Sequence, residues 1–306
     1  MNTPLMCALA LAAAHPLTDD CGCDVTDRHQ HAYDALLVLD ANESARAMRL
    51  HLPWGTPTSP IRATNERVLP SDDFVLCYDE DLRVPLWGAY RLDHFDVDHD
   101  RKRTECFRPD PRLGADATAT CDDYRSSGHD RGHIVPSDAV GRTEASMVNS
   151  YVLSNMAPQV GRFNRVHWKF LEDEARDWAE ERGPLWVIAG CVFDRDNDGV
   201  RDDDTDARRL QSVHSPGRVA IPTHFYMILT HQRPTGELDT LCILLEHDAE
   251  VVPRTVSGSA ARRAWLEDDA LVSIDTVERL TGHDFFPARD DDEEALFETV
   301  PASALW

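Results

Sequence analysis

The chain has no apolar run approaching the roughly 18 residues that a membrane-spanning helix needs, which excludes a helical membrane protein. It has no CxxC pair and no spaced Cys/His set, so neither a zinc finger nor a zinc ribbon is encoded. It has no internal repeat and no alternating strand–helix pattern, which sets aside solenoids and doubly wound parallel sheets. Positive charge is also scarce. With 31 Lys and Arg against 55 Asp and Glu, the net charge is -24. No Lys or Arg precedes Arg28, so the apolar run Pro4 to Ala14 lacks the basic flank of an export signal. Its length and the small residues Ala12, Ala13 and Ala14 nonetheless suit one. Residues 1–20 are therefore read as a signal peptide or leader, and the protein as secreted or periplasmic.

What is present describes a globular protein. Hydrophobic residues make up 42% of the 306 positions and include seven tryptophans, enough to build a sizeable core. Eight cysteines are many for a reducing cytosol and point to an oxidising compartment. Cys106 with Cys121 and Cys191 with Cys242 are candidate pairs, while Cys21 and Cys23 stand too close to pair easily. If Cys7 leaves with a leader, seven cysteines remain and one must stay unpaired. The charge is unevenly spread. From Arg101 to Phe170 eleven Lys or Arg face eight Asp or Glu, and acid is concentrated in Asp194–Asp206, Glu267–Asp269 and Asp290–Glu294. A polyanionic partner is therefore not excluded by the net charge, and the acidic shell favours solubility.

Residues 21–71, with the Pro-rich stretch Pro53–Pro60, read as an arm and linker; 72–288 as the compact domain; 289–306 as an acidic tail. Phe74–Tyr78 and Val84–Arg91 flank an acidic turn and predict a hairpin. Asn164–Arg182 is free of Gly and Pro, places Trp168, Leu171, Ala175 and Trp178 on one side, and ends at Gly183-Pro184, as an amphipathic helix does. Leu185–Phe193, Val219–His231 and Thr240–Glu246 predict strands. Ser273–Leu280 predicts a short helix with Ser273 as cap and Gly282 beyond its end. These elements imply an α+β fold with a mainly antiparallel central sheet flanked by helices.

Two segments carry the chemistry. One runs from Tyr124 to His133 and ends in the word Asp130-Arg131-Gly132-His133. The other runs from Leu153 to Glu172 and combines Ser154-Asn155-x-x-Pro158-Gln159 with Asn164 and Glu172. Together they resemble the DNA/RNA non-specific endonuclease family, which includes mitochondrial endonuclease G and secreted bacterial nucleases of the ββα-metal (His-Me finger) fold. The likeness extends over about 72–288, through Val75–Asp79, Pro85–Trp87, Val219–Tyr226 and Ser273–Pro287, with Tyr78 and Trp87 as markers of the fold.

The resemblance implies a Mg²⁺-dependent, sugar-nonspecific endonuclease, with Mn²⁺ as a substitute, leaving 5′-phosphates on DNA and RNA. The residue types agree. A neutral imidazole at His133 suits a general base near neutral pH, and Gly132 beside it permits close approach. One amide oxygen from Asn164 would anchor Mg²⁺ without cancelling its charge. Along an α-helix Asn164 and Glu172 are about 12 Å apart and differ by about 80° in direction, so Glu172 is expected to act on the ion through a water.

By resemblance Arg131 contacts the phosphate, Arg103 is the best match for a second arginine against Arg101 and Arg108, and Arg162 is a candidate backbone contact. Homodimers occur among relatives. Asn155 reads as a turn former, His129, His167 and His224 as structural or solvent-facing, and the His94–His99 cluster as a solvated loop. A catalytically inactive nucleic-acid-binding relative and a phosphodiesterase of small nucleotides are the alternatives.

A second signal stands apart. Asp194, Asp196, Asp198, Gly199 and Asp202 occupy positions 1, 3, 5, 6 and 9 of a calcium loop, although Thr205 replaces the usual Glu at position 12. A structural Ca²⁺ here would stabilise the fold without entering catalysis. An unliganded acidic loop is the other reading.

Overall fold

A computed structural model of the chain describes residues 23, 25–59, 65–93, 103–247 and 258–306. The apolar run near the N-terminus, Cys7, Cys21 and the His94–His99 cluster lie outside these residues.

Six strands form one antiparallel sheet in the order β1-β2-β3-β6-β7-β8. They are β1 (Glu66–Pro70), β2 (Val75–Asp79), β3 (Val84–Leu92), β6 (Leu185–Val192), β7 (His224–Gln232) and β8 (Leu238–Glu246). The β2–β3 turn matches the predicted hairpin, with Arg83 at φ 58. Every residue of β2 is buried, which explains its continuous apolar pattern in place of alternation. The predicted strand from Val219 starts only at His224. Pro222 has no N–H to give to a ladder, and Ala220 instead bridges Arg209.

A second sheet pairs β4 (His129–His133) with β5 (Met156–Val160), and the helical segment of Phe163–Arg182 follows. This β-β-helix unit holds the motif residues. Its helix begins as a π-helical stretch, Phe163–Trp168, and continues as α3 (Lys169–Arg182), ended by Gly183 at φ 95. Trp168 and Trp178 are buried on its inner side. The helix after the sheet, α5 (Ile274–Thr281), has Ser273 accepting from the Thr276 N–H and a left-handed Gly282 beyond its end, as expected.

Two expectations about the ends are corrected. Residues 21–71 are not an arm and linker: they contain α1 (Asp27–Leu36), α2 (Ala41–His51) and β1. Asp40 and Glu43 form a reciprocal capping box on α2, and Leu37, Ala47, Leu52 and Trp54 are buried. These helices are short and their apolar stripes narrow, so the pattern was hidden among charged residues. Nor is 289–306 a free tail. Trp306 packs edge-on against Trp178 at 5.9 Å, Phe297 against Phe286 at 5.2 Å, and Glu298 is buried. Between α3 and this segment lies α4 (Ser259–Asp269), whose Arg263 bonds both Glu174 and the Trp306 carbonyl.

The cysteine pairs are corrected too. Cys106 is bonded to Cys23, not Cys121, and Cys191 and Cys242 are free and buried. Cys121 is itself disulfide-bonded. The last two sit on β6 and β7's neighbour β8, one strand apart, where apolar packing alone accounts for them. No helix among the described residues is long and apolar enough to cross a membrane.

Candidate active site

The β4–β5 ladder sets His133 opposite Met156 and Gly132 opposite Ala157. A Cβ on Gly132 would lie 2.2 Å from the Gln159 side chain, so this glycine makes room for buried Gln159 rather than for substrate. The backbone of His133 is held from the helix side, where Trp168 Nε1 donates to its carbonyl at 3.1 Å. Its ring packs edge-on against Tyr151 at 4.7 Å and near Phe107 at 6.2 Å. Nε2 is buried without a hydrogen-bond partner. Burial, and then the neighbouring Arg103 charge, lower the imidazole pKa to about 3, so His133 is neutral across the physiological range.

Asn164 is oriented by the first residue of the same motif. Its Nδ2 donates to Asp130 Oδ2 at 3.0 Å, which fixes the amide and leaves Oδ1 as the free end. Asp130 also receives Arg165 through two bonds, of 2.9 and 2.6 Å. The π-helical start of the helix changes the expected angle between Asn164 and Glu172. Residues in i→i+5 turns rotate by less than the roughly 100° of an α-helix, so the five π-helical positions from Asn164 to Trp168 remove much of the 80° offset. Both side chains line one cleft. Glu172 is half-buried there, and desolvation raises its pKa to about 8 against the opposing pull of Arg176 and Arg103.

The cleft has a volume of about 640 Å³, and His133, Arg131, Asn164, Glu172 and Arg103 all line it. Arg131 stacks over Phe107 with its guanidinium carbon 3.8 Å from the ring centroid and reaches Cys121 Sγ at 3.9 Å. Among the described residues no carboxylate forms an ion pair with it. Arg103 is engaged by Asp138 through bonds of 3.1 and 2.6 Å. Arg162 is not among the lining residues and turns toward His167, at 3.5 Å. Arg165 and Lys169, which the motif reading passed over, line the cleft in its place. Helix position alone would not have found them, since residues one and five beyond Asn164 do not share its face on a regular α-helix. His129 also lines the cleft. Arg108 is consumed by Asp34, Asn149 and two carbonyls, which removes it as a substrate ligand.

Asn155 is structural. Its Oδ1 accepts from Val135 N–H at 2.9 Å, and its Nδ2 donates to the Val135 and Ser150 carbonyls, each at 2.8 Å. In the acidic loop, carboxylate oxygens of Asp194, Asp196 and Asp202 lie within 4.8 Å of one another. Asp198 is outside that group and accepts from Val200 N–H at 2.9 Å.

A family model for the DNA/RNA non-specific endonucleases matches residues 58–292. Among curated proteins, the chain is 32% identical over 232 residues to Nuclease EXOG, mitochondrial, of Danio rerio, covering 76% of this chain and 64% of the relative. It is 29% identical over 221 residues to Endonuclease G, mitochondrial, of Homo sapiens, covering 71% and 68%. It is also 27% identical over 252 residues to human Ectonucleotide pyrophosphatase/phosphodiesterase family member 1, covering 78% of this chain but only 27% of that much longer protein. The chain thus spans from about a quarter to about two thirds of the curated relatives it matches. With most of its length inside the matched region, the chain belongs to the DNA/RNA non-specific endonuclease family.

Proposed function

We propose that the chain is a Mg²⁺-dependent endonuclease hydrolysing DNA and RNA without base specificity, leaving 5′-phosphates. The observation that supports it most is the convergence of His133, Arg131, Asn164 and Glu172, from a strand and from two helical turns, on one cleft. The donor set fits Mg²⁺: an amide oxygen freed by the Asp130 bond, and a carboxylate, both hard oxygen ligands. Asn164 would hold the ion directly and Glu172 through a water, with Mn²⁺ as a substitute; when bound, the ion supplies positive charge at the scissile phosphate.

His133 takes a proton from the attacking water through Nδ1, since Nε2 is sealed in the protein. A base whose conjugate acid has a pKa near 3 is weak. An incoming phosphate brings negative charge beside the ring and favours its protonated form, strengthening the base when substrate is present. Arg131, with no carboxylate ion pair among the described residues, would offset charge on the phosphate. Arg103 can join only by loosening its pair with Asp138. Contacts to phosphates carry no sequence information, which accounts for non-specificity.

The test is cleavage of plasmid DNA and RNA in Mg²⁺ by wild type, His133→Ala and Asn164→Ala, with end analysis. Loss of most of the rate in both folded variants, with 5′-phosphate ends, supports the reading. An inert wild type indicates an inactive binding relative, and turnover of dinucleotides alone indicates a small-nucleotide phosphodiesterase. Export to an oxidising compartment, periplasmic or extracellular, is part of the proposal and is supported by the Cys23–Cys106 disulfide. So is a homodimer, to be checked by sedimentation. The three convergent carboxylates of the acidic loop support a structural Ca²⁺. Ca²⁺ should raise the melting temperature of wild type and not of Asp194→Asn, without replacing Mg²⁺ in cleavage.

A further inference from the structure

Outside the cleft, three side chains from separate parts of the chain meet in the interior. Glu66 lies on edge strand β1, Cys77 on β2, and His283 directly after the left-handed Gly282 that ends α5. In the β1–β2 register Glu66 faces Asp79 and Val68 faces Cys77, which makes Glu66 and Cys77 diagonal neighbours on one face of the sheet. Cys77 Sγ donates to Glu66 Oε2 at 3.8 Å, and His283 Nε2 lies 3.4 Å from the same oxygen. One donor atom of each residue falls within 4.8 Å of the other two.

The group is not a satisfied hydrogen-bond network. His283 is 3% exposed and Cys77 2%. Both ring nitrogens of His283 and Oε1 of Glu66 are buried without a hydrogen-bond partner. Buried polar atoms are normally paired, and three orphans around one point call for a missing partner. Nδ1 of His283 has no partner in either tautomer, and Nε2 has only the Glu66 carboxylate at 3.4 Å outside hydrogen-bond geometry, so a change of tautomer does not satisfy the ring. Cys191 and Cys242, by contrast, belong to no such ligand group among the described residues and are buried as ordinary apolar cysteines are.

We propose that Glu66, Cys77 and His283 form a structural Zn²⁺ site. Zinc binds sulfur at about 2.3 Å and nitrogen or oxygen at about 2.0–2.2 Å, so the edges between tetrahedral ligands measure about 3.3–3.6 Å. The observed 3.4 and 3.8 Å lie within a few tenths of an ångström of these edges, and the Cys77–His283 edge, within 4.8 Å, closes as the ion draws the ligands together. Bidentate binding through the orphaned Oε1 of Glu66 fills the fourth position. The thiol gives up its proton on binding, and thiolate plus carboxylate then balance the double charge of the ion. The charge of Arg201 acts on Cys77, and that guanidinium is engaged by Asp204 at 3.2 Å and Asp79 at 3.7 Å. A sulfur and a nitrogen in the set select zinc over Mg²⁺ or Ca²⁺, whereas Asn164 and Glu172 in the cleft offer oxygen alone. The ion would tie the edge strand of the sheet to the turn that carries buried Phe285 and Phe286, residues more than two hundred positions away in sequence.

The experiment uses the full chain, stripped with a chelator and dialysed, then titrated with Co²⁺ and with Zn²⁺. Cobalt bound to a thiolate gives a near-ultraviolet charge-transfer band. The expected result is one tightly held Co²⁺ showing this band, erased by stoichiometric Zn²⁺, and absent from Cys77→Ser and His283→Leu. Zn²⁺ should raise the melting temperature of wild type by several degrees and leave both variants unmoved, while Mg²⁺ does not reproduce the effect. Absence of the band in wild type, or its survival in Cys77→Ser, overturns the assignment. If a variant does not fold, the wild-type band and its loss on adding Zn²⁺ remain decisive for thiolate ligation. Alkylation of Cys77 blocked by Zn²⁺, and read by mass spectrometry in brief denaturant pulses, then assigns the sulfur; equal labelling with and without zinc refutes it.

Discussion

Glu172→Gln provides a direct test of how the cleft treats its carboxylate. In the metal-free protein burial lifts the Glu172 pKa from 4.5 to about 8, with Arg176 and Arg103 opposing the shift. The folded state holds the proton more tightly than the unfolded chain does. Stability from this group is therefore complete below about pH 4.5 and is lost as pH rises through about 8. At about 1.36 kcal/mol per unit, the 3.5-unit difference sets a ceiling of about 5 kcal/mol. The side chain is only half-buried and lines an open cleft, so solvent screening reduces the effect to about 2 kcal/mol. Glu172→Gln cannot ionise and has no such titration. Urea unfolding of both proteins in chelator, from pH 5 to pH 9, should show the variant gaining about 2 kcal/mol on wild type as pH rises. Saturating Mg²⁺ at pH 9 should return about that amount to wild type, since a ligand at a hundred times its Kd stabilises by about 2.7 kcal/mol. His133 titrates in the opposite sense, destabilising as pH falls from 6.5 toward 3, but it is common to both proteins and cancels. A stability difference that stays flat with pH would refute the argument.

Asp130→Ala frees the Asn164 amide to rotate and should weaken Mg²⁺ about ten- to a hundredfold, with cleavage recovered at high Mg²⁺; an unchanged Mg²⁺ dependence counts against an orienting role. Gly132→Ala drives a Cβ into Gln159 and should cost about 1–3 kcal/mol in urea unfolding, relieved in part by also making Gln159→Ala. Cys23→Ser removes a bond spanning 83 positions, for which loop-closure entropy sets a ceiling of about 4.5 kcal/mol while the Cys121 disulfide stays in place; a loss below about 1 kcal/mol would mean the region is held without the bond. With a net charge of -24, the long-range field repels a polyanion, while local cations in the cleft attract it. Screening lengths fall to about 10 Å at 0.1 M salt, so the cleavage rate should pass through a maximum as NaCl is raised from very low levels; a steady fall from the outset would contradict this.

The sheet was legible because strands β2, β3, β6, β7 and β8 are dense in apolar and β-branched residues, and a strand buried on both faces announces itself by that density. The ends were not legible for the reverse reason. In α1 and α2 few positions are buried, with Ala47 and His51 the buried residues of α2, and in the last segment single aromatics such as Trp306 anchor an otherwise acidic stretch. Contacts that rest on one residue at a time leave no period to read. The disulfide was equally hidden, because pairing of Cys106 with Cys23 depends on where the N-terminal segment packs, which spacing does not encode.

At the cleft, residue type and residue setting separate. His133, Arg131, Asn164 and Glu172 were singled out by the family resemblance, with which their chemistry agrees, and all four line one cavity. What tunes them came from partners whose relation to them is purely spatial: Asp138 on Arg103, Asp130 on Asn164, Phe107 under Arg131 and Tyr151 against His133. The π-helical start of the helix belongs with these. A widened turn costs hydrogen-bond geometry, and such turns occur frequently at functional sites. Here it occupies Phe163–Trp168, the stretch between the amide and the carboxylate whose faces a regular α-helix would set about 80° apart. The same distinction applies to Arg162 and Arg165. Arg162 precedes the π-helical stretch and reaches forward to His167, while Arg165 lies within it and meets Asp130 at the cleft. Motif words identify the atoms that can do chemistry, and it is the local winding of the backbone that decides which of them face one another.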